Sequence, residues 1–171
     1  YISKPPIEGR PVLWHQDGSY WPLQPMEAVT LWLAVDDSTQ ENGCMQVIPG
    51  THVTQLQEMK SRPDTPSVLG SGIAEELVDT AKAVDVIVEA GGVSVHHPNL
   101  IHGSNPNTSS RRRAGLTIRY IPTSTRIVSE TTWPSAFLLR GEAEPDINDY
   151  HPKPKYVPGH HMPFSGCTDW S

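Results

Sequence analysis

The sequence predicts a mainly β fold, an antiparallel sandwich or jelly roll, and three observations carry that prediction. Apolar stretches are short and alternate with polar residues, as in half-buried strands. Gly, Pro, Asn and Ser punctuate them at close intervals, and no sustained helical period separates them. The 17 prolines in 171 residues are about double the usual share, which suits strands joined by irregular loops. A chain of this length forms one domain with a buried core.

Tyr1-Ile2-Ser3-Lys4-Pro5 reads as the end of a strand, and because the first residue is not Met the chain is expected to be a fragment. Residues 5–11 form a Pro- and Gly-containing loop, and residues 12–17 the first strong strand. Tyr20 and Trp21 follow it, and both core filling and substrate stacking are open to them. Residues 28–36 are the clearest buried strand, with Val29, Leu31, Leu33 and Val35 on one face and Thr30, Trp32 and Ala34 on the other. Residues 43–50 make a short strand closed by Pro49-Gly50, and His52 just beyond reads as a structural histidine. Residues 53–72 are polar and aperiodic, and such excursions in compact domains serve as lids or binding loops. Residues 73–80 suit a helical turn with Glu75 and Glu76 solvated. Strands 84–89 and 93–97 are joined by a turn at Gly91-Gly92. Residues 103–110 read as a loop and 113–121 as the last good strand. From Pro122 the chain is expected to wrap the domain as coil. This divides a single domain into a core barrel, residues 1–127, and a wrapping segment, 128–171.

The chemistry starts from Trp14-His15-Gln16-Asp17. On an extended strand His15 and Asp17 face the same side, where they can hold adjacent positions on a metal. Two histidines and one carboxylate on one side of an ion is the facial arrangement of non-haem Fe(II) oxygenases. His102, set before a glycine in Ile101-His102-Gly103-Ser104, is the leading third ligand. Arg113 opens a strand whose same-face positions include Gly115, Thr117 and Arg119. Buried there, it would offer a planar fork to a carboxylate, and Ser104 could add a hydrogen bond. A metal with three ligands and a carboxylate-gripping arginine suits a dicarboxylic cosubstrate that chelates the metal.

His15-x-Asp17, then Asn42-Gly43-Cys44 with Ile48-Pro49-Gly50-Thr51-His52, then His102-Gly103-Ser104 with Arg113, together resemble the phytanoyl-CoA dioxygenase family. The resemblance runs from Lys4 to Ile127. It implies a double-stranded β-helix, a cupin-like jelly-roll barrel with long loops and few short helices. It also implies an Fe(II)- and 2-oxoglutarate-dependent dioxygenase, with His15, Asp17 and His102 as iron ligands. Arg113 would pair with the distal carboxylate of 2-oxoglutarate, while Ser104 and Trp32 line the cosubstrate pocket. O2 would take the remaining iron position, 2-oxoglutarate would yield succinate and CO2, and a small organic substrate would be hydroxylated. Related halogenases carry a small residue at the carboxylate position, so Asp17 points to hydroxylation. In two respects the chain departs from the family: Gly92 stands at a turn where relatives often carry Asp, and the family's N-terminal helices and opening strands are expected to be missing.

The net charge of −6 and pI near 5.7 oppose a nucleic-acid groove. No window approaches the ~20 apolar residues of a membrane span. Cys44 and Cys167 are too far apart for a metal knuckle, and reduced thiols in a cytoplasmic protein are expected over a disulfide. Asn107-Thr108-Ser109 matches a glycosylation sequon and is read as chance. Arg111 and Arg112 read as solvated. His96 and His97 offer a rival metal cluster; His97 shares a face with Val93 and Val95 and reads as a core or supporting histidine. His151, His160 and His161 read as an exposed tail. Two other functions compete: a non-catalytic cupin-like module that holds metal or ligand, and metal-assisted hydrolysis at zinc. Hydrolysis leaves Arg113 without a task and lacks a general base. The expected substrate is an acyl-CoA or another metabolite, although no basic, adenine-binding stretch is present. Residues 53–72 and the tail after Pro122 are expected to set selectivity.

Overall fold

The computed structural model of the chain describes residues 1–129 and 135–161. Among the described residues twelve short strands form: β1 (Ile2–Lys4), β2 (Val12–His15), β3 (Leu23–Gln24), β4 (Val29–Ala34), β5 (Met45–Val47), β6 (Met59–Ser61), β7 (Ser71–Ile73), β8 (Val84–Val86), β9 (Val93–His96), β10 (His102–Ser104), β11 (Arg113–Tyr120) and β12 (Arg126–Ile127). Eight of them make two four-stranded sheets, ordered β1-β11-β4-β9 and β2-β10-β5-β8. All the pairings are antiparallel. The pairing is that of one long hairpin, with β1, β2, β4 and β5 running out and β8, β9, β10 and β11 running back. Coiling the hairpin alternates its strands between the sheets and adds the contacts β11–β4 and β10–β5. This is the double-stranded β-helix expected of a jelly roll, and only short 3-10 turns interrupt it.

The two outer faces are treated differently. On the β2-β10-β5-β8 sheet, the outward residues Trp14 and Ile101 pack with Ile48, Ile73, Val78 and Met59 into an apolar cluster. The β6–β7 hairpin and the following 3-10 turns contribute to it, so the excursion over residues 53–72 covers this sheet and is partly ordered as strands. It also reaches the cavity between the sheets with Val68 and Leu69. A second cluster, Trp21, Leu23 and Ala28, sits where β3 pairs with β12.

In β4 the face formed by Thr30, Trp32 and Ala34 is buried, whereas Val29, and Val35 just past the strand, are 43% and 44% exposed. The strand is therefore buried on its less apolar face, because the space between the sheets is given to polar groups. Lys4 and Thr30 on the strands are completely enclosed, as are Gln16, Ser38, Asn42 and Asn107 in the connecting segments.

Several local expectations shift. β2 ends at His15, and Asp17 opens a 3-10 turn. Gln16 between them is extended, so the strand's alternation continues one residue past the ladder and still delivers both side chains to one side. The stretch 103–110 begins as strand, since β10 continues through Ser104. His97 points outward with Val93 and Val95, half-buried, and its Nδ1 accepts the Asn99 N–H at 3.0 Å. The imidazole that turns inward is that of His96. His52 is exposed and edge-on to His97, and His151, His160 and His161 are exposed. Asn107 of the sequon is enclosed, its amide donating to the carbonyls of Pro5 and Arg111. Cys44 is buried with a free thiol, and Cys167 lies outside the described residues.

Candidate metal centre and its cavity

His15 and His102 are direct cross-strand partners in the β2–β10 ladder. Each imidazole Nδ1 stands against the backbone carbonyl two residues earlier, Leu13 at 2.8 Å and Leu100 at 2.9 Å. A carbonyl can only accept, so both Nδ1 atoms carry the proton and both Nε2 atoms present a lone pair. Those lone pairs face Asp17 Oδ1, at 3.4 Å from His15 and 3.7 Å from His102. Three acceptors thus converge, their ligating atoms all within 4.8 Å of one another, in a buried position. Acceptors aimed at one point with no donor between them fit a divalent cation.

The other oxygen of Asp17 is held from outside the triad. Thr30 Oγ1 donates to Oδ2 at 3.1 Å, and His96 Nε2 stands 3.6 Å from the same atom. Burial by itself would raise the Asp17 pKa, but the imidazoles of His15, His96 and His102 outweigh it and hold the carboxyl well below its usual range. Burial, then the neighbouring His15, push His102 down to about 3, so it stays neutral and able to ligate. Gln16, between the two ligands, faces the opposite way. It donates to the Asn99 carbonyl at 2.7 Å and accepts the Gln57 N–H at 2.7 Å, tying two loops to the turn that carries Asp17.

A cavity of about 270 Å³ runs from this triad to Arg113 and is lined by Trp32, Ser104, Tyr20 and Trp21 as well. Arg113 is 4% exposed, its Nε donates weakly to Ser38 Oγ at 3.4 Å, and its guanidinium lies 4.5 Å from the centre of the Trp32 ring. Directly across the β1–β11 ladder is Lys4. Its Nζ donates to Ser104 Oγ at 2.6 Å and to the carbonyl of Asn105. Burial, then Arg113, lower the Lys4 pKa to about 7. Among the described residues neither cation makes an ion pair with a carboxylate. Two glycines permit this packing. A Cβ on Gly115 would overlap the Trp32 indole, and one on Gly43, where φ is +76°, would overlap the Asn105 carbonyl.

Arg111 and Arg112 are exposed and paired with Glu41 and Asp36. Tyr20 lies near the triad, edge-on to His15, and its hydroxyl bonds Ser71 Oγ at 2.8 Å. Trp21 belongs both to the core cluster and to the cavity wall. Lys4, Thr30 and His96 have no motif of their own. The available signals were the inward parity of Thr30, alternating with the valine face of its strand, and the position of His96 on the strand face opposite Val93, Val95 and His97.

Against known proteins, the family model described as phytanoyl-CoA dioxygenase matches residues 1–115. Phytanoyl-CoA dioxygenase domain-containing protein 1 of Bos taurus is 32% identical over 136 residues, 78% of this chain and 47% of that protein. A probable alpha-ketoglutarate-dependent hypophosphite dioxygenase of Stutzerimonas stutzeri is 31% identical over 70% of this chain and 42% of its own length. The chain thus spans about half the length of the relatives it matches. Among solved structures, the non-heme monooxygenase ThoJ superposes with a TM-score of 0.71 and 31% identity, over 90% of this chain and 54% of ThoJ. EvdO2 of Micromonospora carbonacea var. aurantiaca, complexed with 2-oxoglutarate, gives 0.63 and 26%, over 75% of this chain and 52% of EvdO2. Sequence and fold agree over the segment that carries both the triad and Arg113, and on that ground the chain belongs to the phytanoyl-CoA dioxygenase family.

Proposed function

We propose that this chain is an Fe(II)- and 2-oxoglutarate-dependent dioxygenase that hydroxylates a small organic substrate, an acyl-CoA or another metabolite. One observation carries the reading. A buried arginine with no carboxylate partner among the described residues shares a cavity with three converging acceptors. Such a cavity wants a metal at one end and an anionic ligand at the other.

In this reading His15, Asp17 and His102 hold the iron, and Nδ1 bonds to backbone carbonyls keep both imidazoles in the ligating tautomer. Thr30 orients the carboxylate so that Oδ1 faces the metal. Arg113 grips the distal carboxylate of 2-oxoglutarate, and Trp32 holds the guanidinium in place. Ser104 accepts from Lys4 and so keeps its own proton for the same carboxylate. Iron with 2-oxoglutarate supplies the activation of O2, with release of succinate and CO2, that oxidises a substrate C–H bond. The buried walls limit water around that reaction. The resemblance of relatives named as alpha-ketoglutarate-dependent supports the same reading. We further take the chain as one oxygenase domain in the cytoplasm, a barrel over residues 1–127 with the segment after it wrapped on it; residues 130–134 and 162–171 of that segment lie outside the described residues. The free, buried Cys44 is in keeping with that compartment. Among the described residues no helix is long and apolar enough to cross a membrane.

The test is anaerobic addition of Fe(II) and 2-oxoglutarate, watching for the weak visible charge-transfer band of the chelate. The band is expected in the parent protein, absent in Asp17→Ala, and restored in Arg113→Ala only at 2-oxoglutarate concentrations about a hundredfold higher. A folded parent protein without the band would refute the oxygenase reading and favour a barrel that holds ligand without turnover.

A further inference from the structure

Beside the triad the cavity carries hydrogen-bonding groups that the protein itself leaves unsatisfied. His96 is 8% exposed and lines the cavity, yet neither ring nitrogen makes a hydrogen bond: Nε2 stands 3.6 Å from Asp17 Oδ2, beyond hydrogen-bond length, and Nδ1 is unpaired. The Thr117 hydroxyl, on the same wall, is likewise buried and unpaired. Arg119 stands at the rim, its guanidinium 5.2 Å from the centre of the Trp21 ring, and makes no ion pair among the described residues. Buried polar groups are normally paired, so a cluster of exceptions in one cavity points to a ligand.

The strand register relates these groups to one another. Thr30 of β4 pairs with His96 of β9 on one side and with Arg119 of β11 on the other. The three form one row across the sheet, and all line the cavity. Neighbouring strands are about 4.8 Å apart, so the ends of the row are roughly 10 Å apart at the backbone. At its centre Thr30 holds the Asp17 carboxylate. A molecule reaching from Arg119 to His96 therefore lies across the metal ligand, with Thr117 one row further along β11. His96 is not part of the ligand set, which comprises His15, Asp17 and His102.

We infer, resting on the oxygenase reading, that His96 and Arg119 bind the two ends of the substrate, and that this substrate is a small polar organic acid. Arg119 takes its carboxylate, and His96 takes a hydroxyl or amino group near the reacting carbon. Water satisfies such groups before substrate arrives, and a substrate that displaces it must replace its hydrogen bonds. An acyl chain cannot, and forfeits about a factor of ten in affinity for each group left unpaired. The cavity, about 270 Å³, is also at the small end for ligand pockets.

Saturation-transfer NMR on the full chain tests this, with and without Fe(II) and with 2-oxoglutarate saturating so that the Arg113 end is filled. The probes are monocarboxylic acids with a hydroxyl or amino group at the far end of a chain of about four to six carbons, the unsubstituted acids, the neutral amides, and an acyl-CoA, because the row separates the two recognising groups by two strand spacings. The substituted acids are expected to bind at least about tenfold more tightly than their amides. Arg119→Gln erases the preference for acid over amide and Arg119→Lys keeps it. His96→Phe erases the preference for the acid with the distal hydroxyl or amino group over the unsubstituted one. Acyl-CoA or amides binding as tightly as the acids, unchanged in both variants, overturns the inference, as does failure of every acid to bind. The readout needs no iron, so it is separable from the chelate band. A missing band with acid selectivity intact refutes only the oxygenase reading, and a present band without selectivity refutes only this one.

Discussion

The inner face of the β1-β11-β4-β9 sheet carries Lys4, Thr30, His96, Arg113, Thr117 and Arg119, while its outer face carries Val29, Leu31, Leu33, Val93, Val95 and Leu116. The enclosed face is the polar one, and apolar side chains such as Val95, 62% exposed, look outward. The partner sheet follows the usual arrangement on its outer side, where Trp14 and Ile101 are covered by the β6–β7 hairpin. The contrast teaches that alternation separates two faces of a strand without saying which one is buried. Burying polar groups costs stability unless they are paired. Here the buried Arg113 and Lys4 have no carboxylate partner among the described residues, and the function proposed above gives part of that pairing to a metal and anionic ligands, so the face reads as a site and not as a core.

Crowding the inner face should do most damage. Gly115→Ala forces a methyl into the Trp32 indole, and overpacking of that kind costs about 1–3 kcal/mol. Chemical denaturation of the metal-free protein measures it, and an unchanged midpoint would mean that Trp32 is free to move. Next is the support of Asp17. Thr30→Val keeps the shape and removes the donor to Oδ2, so metal affinity should fall about tenfold in a Co(II) titration, with the fold retained.

Buried ionisable groups on this side of the molecule also give stability a defined pH dependence. His102 is depressed from 6.5 to about 3, chiefly by burial. As pH falls through that window the unfolded chain takes up a proton that the native one refuses, and the metal-free protein loses stability. Lys4 is depressed from 10.5 to about 7, again chiefly by burial. Its charge is a penalty fully present below about 7, and stability should climb as pH rises through the window above it. Denaturation midpoints across both windows test the signs, and Lys4→Met should abolish only the alkaline rise. The smallest effect belongs to the outer face. Val95→Thr should change stability by no more than about 0.5 kcal/mol, and a larger loss would show that this face is covered in solution.

His15, Asp17, His102 and Arg113 could be read from the chain because each has a local reason to be noticed. A two-residue spacing, a following glycine and an arginine opening an apolar strand are properties of neighbours in sequence. The jelly roll was legible for the same reason, since short alternating runs and frequent turn residues leave few other all-β solutions. The extended Gln16 even preserved the His15–Asp17 relation after the ladder had ended.

Parity within residues 93–97 separated His96 from His97, but it did not tell which one faced the His15–Asp17–His102 triad. Thr30 became a support for Asp17, and Lys4 a neighbour of Arg113, through register between segments far apart in the chain. The same holds for the His96–Thr30–Arg119 row, which exists because two ladders on either side of β4 happen to bring those residues level. Sequence alone determined which side chains could hold a metal and an anion, since that is a matter of chemical type and local spacing. Only the tertiary structure decided what surrounds them, because hydrogen-bonded register is a property of paired strands and no single strand contains it.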